Sequence, residues 1–385
     1  MYLFRCKSRN GFNQQRDFKD FRKNYHKLMK IKAPHMDTVD AVLERISPDN
    51  LASIQTYLVK ILLHKRVFHK FRMSSKYFVI TIDGTGAFKF DKQPYENCPH
   101  KTSRNAKTTY TQSFVEAKLV CPNSFCISLA TEWMTNEDGQ VKQDCEYKAT
   151  LRLLDNLKTR FARLPMCIVM DGLFFKKPIM NNIKSKQWEF IIVWKDKTRY
   201  DLQDKVVKQK AKDGIEELQY NKFPSKYIRN EYAVEWSSKS LVDKTIDLYY
   251  LRGDKIKIST KQGVEMSYTK FIYITSIPID RSTAKEIFNT GRRRWMIEKE
   301  GFNYQKNSEL NLHHKMNRHN IKAIKSYYTC LQIAHLISQL VVLAKQSIAR
   351  TFGSLKEVWS VLLNILKLCS DYEPIALKSR YNLRY

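Results

Sequence analysis

YFVITIDGTG at residues 77–86 is the stretch from which the rest of the chain can be read. Tyr77 to Ile82 is a short β-branched and aromatic run, the pattern of a strand buried on both faces, and it stops at Asp83-Gly84-Thr85-Gly86. A second apolar run, Met166-Cys167-Ile168-Val169-Met170, ends the same way, at Asp171-Gly172. Between them, Ser113 to Val120 and Phe125 to Thr131 are expected as strands joined by a turn at Pro122-Asn123-Ser124. Asp144 to Phe161 is expected as a helix, with Leu151, Leu153, Leu154, Leu157 and Phe161 on its apolar face. A helix from about Pro178 and a strand from Trp188 to Trp194 come next. The order strand, hairpin, helix, strand, helix, strand predicts an α/β fold, a mixed sheet with helical crossovers.

Upstream, residues 1–76 read as a helical, basic region suited to contacting DNA. Asp37 is expected to cap a helix over residues 38–46, and Ser47-Pro48 to open another, with Leu51, Ile54, Leu58, Ile61 and Leu62 as its apolar stripe. Downstream, residues 195–280 read as a β-rich insertion, with strands at Tyr232 to Trp236, Thr245 to Leu251 and Tyr268 to Thr275. After Arg281 the pattern is helical again: Thr283 to Thr290, Arg292 to Lys306, Asn320 to Lys345 and Leu355 to Leu368. The core therefore comprises residues 77–194 and 281–350, and residues 351–385 form a helical tail.

The 385 residues carry 68 Lys and Arg against 38 Asp and Glu, a formal charge of +30. A hydrophobic fraction of 43% excludes intrinsic disorder, so the basic excess belongs to a folded chain that meets a polyanion, either nucleic acid or an anionic membrane surface. The longest apolar stretch, Cys330 to Ala344, contains Gln332, His335, Ser338 and Gln339 and is short of the roughly 20 apolar residues a bilayer needs. It reads as a core helix, and no membrane partner is expected. The opening MYLFRCKSRNGFNQQR lacks the apolar run of a signal peptide, and eight scattered cysteines suit reduced thiols, so a cytoplasmic location is expected.

Ligands of open α/β sheets bind beyond the carboxyl ends of strands, which places Asp83 and Asp171 at one crevice. Two carboxylates there repel unless a hard divalent cation relieves them. Each Asp-Gly taken singly is also an ordinary turn. A third carboxylate comes in Gly291-Arg292-Arg293-Arg294-Trp295-Met296-Ile297-Glu298, where Arg294 and Glu298 share a helix face. Three carboxylates are about what a pair of metal ions needs to promote an in-line phosphodiester displacement. Cys98, His100, Cys121 and Cys126 do not have the spacing of a zinc finger, and Asp144 and Glu146 read as helix-dipole partners.

TIDGTG at 81–86, VMDGLFF at 169–175 and RRRWMIEKEGFNYQK at 292–306 resemble the Asp, Asp and Glu motifs of bacterial insertion-sequence DDE transposases, in the branch with a β-rich insertion between the second Asp and the Glu. The resemblance implies an RNase H-like mixed sheet flanked by helices, interrupted by that insertion, with helical N- and C-terminal regions. It also implies that Asp83, Asp171 and Glu298 hold two catalytic Mg²⁺ ions, with Mn²⁺ able to substitute. Arg294 and Lys306 match the family's basic positions, and with Arg292 and Arg293 they are expected to contact DNA phosphates. Two departures stand out: Gly291 replaces a Tyr common in the branch, and Lys306 lies one residue farther from the Glu than usual. The implied partners are double-stranded DNA, as element ends and as target, and a second copy of the chain. The alternatives are a metal-dependent nuclease of the same fold without strand transfer, and a catalytically inactive transposase-derived DNA-binding protein.

Overall fold

Four helices lead the chain: α1 (Arg9–Arg16), α2 (Lys19–Met29), α3 (Met36–Arg45) and α4 (Pro48–His64). At α4 the Ser47 hydroxyl accepts from the Asp49 amide at 3.3 Å with Pro48 at the first helical position, as expected. At α3 the expectation fails: His35 Nδ1 accepts from the Asp37 amide, so Asp37 lies inside the first turn instead of capping it. The buried stripe of α4 is also rotated, to Gln55, Thr56, Val59 and Leu62, leaving Ile54 exposed. Gln55 turns inward because its amide donates to the Ser128 carbonyl at 3.0 Å. The computed structural model describes the chain apart from residues 106, 123–124, 137–143, 196–199, 244–245, 262–263, 309, 345–354, 371–372 and 374–385. The expected turn at Asn123-Ser124, and the tail apart from its helix, fall largely outside the described residues.

The central strands are β1 (Phe78–Phe90), β2 (His100–Thr102), β3 (Thr108–Val120), β4 (Cys126–Trp133), β5 (Met166–Met170) and β6 (Glu189–Val193). β1 pairs antiparallel with β3 and parallel with β5, and β5 pairs parallel with β6. Helices α5 (Glu146–Arg160) and α6 (Lys177–Ser185) supply the crossovers. The result is a mixed sheet flanked by helices, in an order consistent with the RNase H-like arrangement. β1 does not end at Asp83-Gly84, where the sequence pattern stops it, but runs on to Phe90, because β3 continues to pair with it after β5 has stopped at Met170.

Helix α7 (Tyr200–Asp213) and strand β7 (Glu216–Ser225) open the insertion, and neither was legible in the sequence. β8 (Ile228–Trp236), β9 (Leu241–Asp243), β10 (Ile246–Ser259) and β11 (Glu265–Thr275) complete it. β11 returns to pair with β6, so the insertion extends the central sheet, in the order β2-β3-β1-β5-β6-β11-β10-β8-β7. α8 (Ala284–Arg292) is followed by a π-helix (Ile297–Asn303), α9 (Tyr304–Asn307), α10 (Ile321–Ala344) and α11 (Leu355–Leu368). The expected continuous helix from Arg292 to Lys306 is therefore broken, with a turn at Arg293–Arg294.

Phe4, Phe12, Phe21 and Tyr25 near the N-terminus pack with Met316, Ala323 and Tyr327, and with Leu366 of α11. α10 buries Leu331, Ala334 and Leu336 against the core. Among the described residues, no helix is long and apolar enough to cross a membrane.

Candidate active site

Asp83 sits where β1 loses its parallel neighbour. Ile82 is the last residue paired with β5, opposite Met170, and the next residue on each strand is an Asp. Adjacent strands lie about 4.8 Å apart, so the register alone brings Asp83 and Asp171 side by side. Gly172–Phe174 then turns the chain away as a 3₁₀ segment. The Asp83 side chain shares its sheet face with Val79 and Thr81, the face on which α8 and the π-helix pack, and Glu298 lies in the first turn of that π-helix. Segments such as this, with widened hydrogen-bond spacing, are common at functional sites.

Arg294 links the carboxylates. Its guanidinium lies 2.5 Å from Glu298 Oε1 and 3.5 Å from Asp83 Oδ2 through the same nitrogen. Burial lowers the Arg294 pKa, but the bond to Glu298 together with the charges of Glu298, Asp171 and Asp83 outweighs it and holds the group above its ordinary value. Lys195, on the segment after β6, pairs with Asp171 at 2.9 Å. Burial would raise Asp171, yet the Lys195 and Gly172 hydrogen bonds keep it below the usual carboxylate range. Asp83 goes the other way. Burial, with the negative charges of Glu298 and Asp171, pushes its carboxyl up to about 6, although the Gly84 amide and Arg294 pull it down.

The three expected carboxylates are thus brought together, each influencing the same site. Their donor chemistry, hard oxygens with an excess of negative charge, fits a divalent cation. Among the described residues they do not yet stand as a ready ligand set, because Arg294 is wedged between two of them and Lys195 holds the third.

The basic positions divide. Lys306 donates to the Thr85 hydroxyl at 2.8 Å, two residues from Asp83, and burial lowers its ammonium pKa. Of the three consecutive arginines, Arg294 alone engages carboxylates of the site among the described residues. Arg292 lies over the rings of Tyr232 and Phe271 and donates to the Tyr232 hydroxyl at 3.0 Å. Arg293 is half-buried, and burial lowers its pKa.

Two neighbours, Lys195 and Glu116, escaped the sequence reading, and a third, Glu146, was read only as a helix-dipole partner. Lys195 belongs to no motif. Glu146 lies against Gly84, where an added Cβ would come 2.5 Å from its carboxylate oxygen. Glu116, the register partner of Asp83 on β3, is fully buried and pairs with Lys118 at 3.1 Å. Only the strand pairing, which places Glu116 beside Asp83, reveals the last of these. The departure at Gly291 also finds its reason: a Cβ there would sit 2.7 Å from the Tyr273 ring, so a tyrosine from β11 fills the space beside this position.

Residues 140–320 match the family model of the transposase DDE domain, a stretch that contains Asp171, Arg294, Glu298 and Lys306 but not Asp83. This part of the chain is thus similar to the DDE transposases as a class; the match does not reach to a bacterial source. Among solved structures, the chain is similar to the piggyBac transposase in the cryo-EM structure of its synaptic complex with hairpin DNA, with 11% sequence identity and a TM-score of 0.38. That similarity covers 76% of this chain and 52% of the other, so the chain spans about half the length of that relative. No curated protein matches the sequence.

Proposed function

We propose that the chain is a DNA transposase that cuts DNA at the ends of a mobile element and joins the cut ends to target DNA. The observation that carries this reading is the convergence of Asp83, Asp171 and Glu298 around Arg294, with Asp83 pushed up to about 6 by burial and, to a smaller extent, by its carboxylate neighbours. Asp83, Asp171 and Glu298 would together hold two Mg²⁺ or Mn²⁺ ions. When bound, such ions activate the attacking oxygen and stabilise the leaving one. Arg294 and Lys195 pair with these carboxylates, and with metal bound Arg294 would be available to a DNA phosphate. Lys306, anchored on Thr85, contributes a second cation beside the same strand, and Arg292 and Arg293 extend the basic track. The helical residues 1–76 would bind the element end, and two copies of the chain would hold two ends in the cytoplasm.

The test uses labelled duplexes taken from the DNA flanking the gene, with Mg²⁺ or Mn²⁺. Asp83→Asn, Asp171→Asn and Glu298→Gln are each expected to slow cutting about a hundredfold or more while duplex binding persists. Cutting that survives all three substitutions would overturn the triad. Wild-type protein that binds but never cuts indicates the catalytically inactive reading, and cutting without joining indicates a nuclease.

A further inference from the structure

On the opposite side of β1 from Glu298, the sheet is left bare. Helix α5 covers Ile80 and Ile82 but begins at Glu146, whose carboxylate lies over Gly84. Beyond that point β1 and β3 run on as the floor of a cleft of about 1100 Å³. Its floor carries the hydroxyls of Thr109, Thr111 and Ser113, and its rim carries Lys89, Lys101, Lys107 and Lys176, all four exposed. Hydroxyl and ammonium donors in this mixture suit phosphate oxygens and sugar, not base edges.

Two carboxylates line the cleft. Asp144 is held by Arg152 at 2.6 Å, and Glu146 stands at the end nearest Asp83. No carboxylate among the described residues pairs with Lys89, Lys101 or Lys107. The cleft adjoins the strand end that carries Asp171: Leu173 and Phe174, just past Asp171 in the chain, form part of its wall, and Leu173 is 62% exposed.

We infer that this cleft holds the backbone of the second DNA, the target duplex, during joining. The inference rests on the transposase reading and gives its second substrate a place. In joining, the 3′-hydroxyl oxygen of the cut end bonds to a target phosphorus. The bond from that phosphorus to the target's own 3′-oxygen breaks, and the proton lost by the first hydroxyl is taken up by the second. Attacking and leaving oxygens lie in line across the phosphorus, so the two DNAs approach the carboxylates from opposite sides. Arg294, Glu298 and Lys306 occupy one face of β1, and the lysine-rimmed cleft opens on the other.

The full chain carrying Lys89→Ala, Lys101→Ala and Lys107→Ala together separates the two steps. Cutting of the flanking duplex should stay within about twofold of wild type, joining to a supercoiled plasmid should fall about tenfold or more, and the log–log salt slope of plasmid binding should become shallower by about 2 to 3. An unchanged thermal unfolding midpoint excludes a folding defect as the cause. A variant that joins as well as wild type, or that loses cutting and joining together, overturns the cleft assignment. Wild-type protein that neither cuts nor joins overturns the transposase reading, and this inference with it.

Discussion

At single positions, the size of a side chain matters as much as its charge. Gly84 and Gly253 show two grades of the same constraint. A Cβ at Gly84 meets only the free end of the Glu146 side chain, which can swing aside. A Cβ at Gly253, on β10, would lie 2.1 Å from Cε2 of Phe288, a ring fully buried under Tyr232, Phe271 and Tyr273. Gly253→Ala is therefore expected to cost about 1 to 3 kcal/mol in urea unfolding, as overpacking of a dense interior does, while Gly84→Ala changes stability little. Equal stability losses for the two would contradict this packing account. The residues legible in sequence were those with a local signature: an acidic residue closing an apolar run, or an Arg four before a Glu. Lys195 reaches Asp171, and Glu116 comes to stand opposite Asp83, through sheet register, and no window of sequence reports register between strands this far apart.

The π-helix is held from below by a buried polar network. Lys118 and Glu116 are both fully buried on β3; the Tyr328 hydroxyl donates to Glu116, and the Lys118 ammonium donates to Gln332 at 3.0 Å. Gln305, just past the π-helix, bonds Gln332 at 2.8 Å and His335 Nδ1 at 2.9 Å. Gly301, inside the π-helix, leaves room for the Lys118 side chain, 3.0 Å from where its Cβ would be. The periodicity from Arg292 to Lys306 suggested one plain helix because these constraints come from β3 and α10, outside that window. His335 is the member whose ordinary pKa lies near neutrality; burial, then the charges of Lys118 and Arg5, lower its pKa well below 6.5. The unfolded chain therefore binds a proton that the folded chain refuses, and stability falls as pH drops through 6.5, by up to about 1.4 kcal/mol per unit. Asp83 acts oppositely: its folded pKa is raised, so its contribution is lost as pH rises from about 4 to 6. The difference between wild type and His335→Gln isolates the histidine. The wild-type thermal midpoint should fall more between pH 7.5 and 6 than that of the variant, and parallel curves would show that His335 titrates freely.

At the scale of the whole molecule, a formal charge of +30 brings cations close to one another. The insertion shows this best. It reads in sequence as a separate β-rich block, yet β11 pairs with β6, and its cations therefore line up beside α8. Lys222 lies over the stacked Tyr220 and Tyr232 rings, and Lys285 lies over Tyr220. Burial, then Arg292, Lys285 and Arg293, lower the Lys222 pKa, and burial, then Arg292 and Lys257, lower that of Lys255. Mutual repulsion of this kind costs stability in the free protein and is relieved when a polyanion arrives. Tyr232 beneath these cations is buried and Tyr220 half-buried, so a polyanion on this face would meet the ammonium groups and is expected to be held through backbone phosphates, without sequence preference. Each phosphate neutralised on duplex DNA adds about −0.9 to the slope of log affinity against log salt. Replacing Lys222, Lys255 and Lys285 together by Ala should therefore flatten that slope by about 2 to 3, equally for flanking and unrelated duplexes. A slope unchanged by the triple substitution would mean that DNA does not lie along this face, and the cations there would need another polyanion.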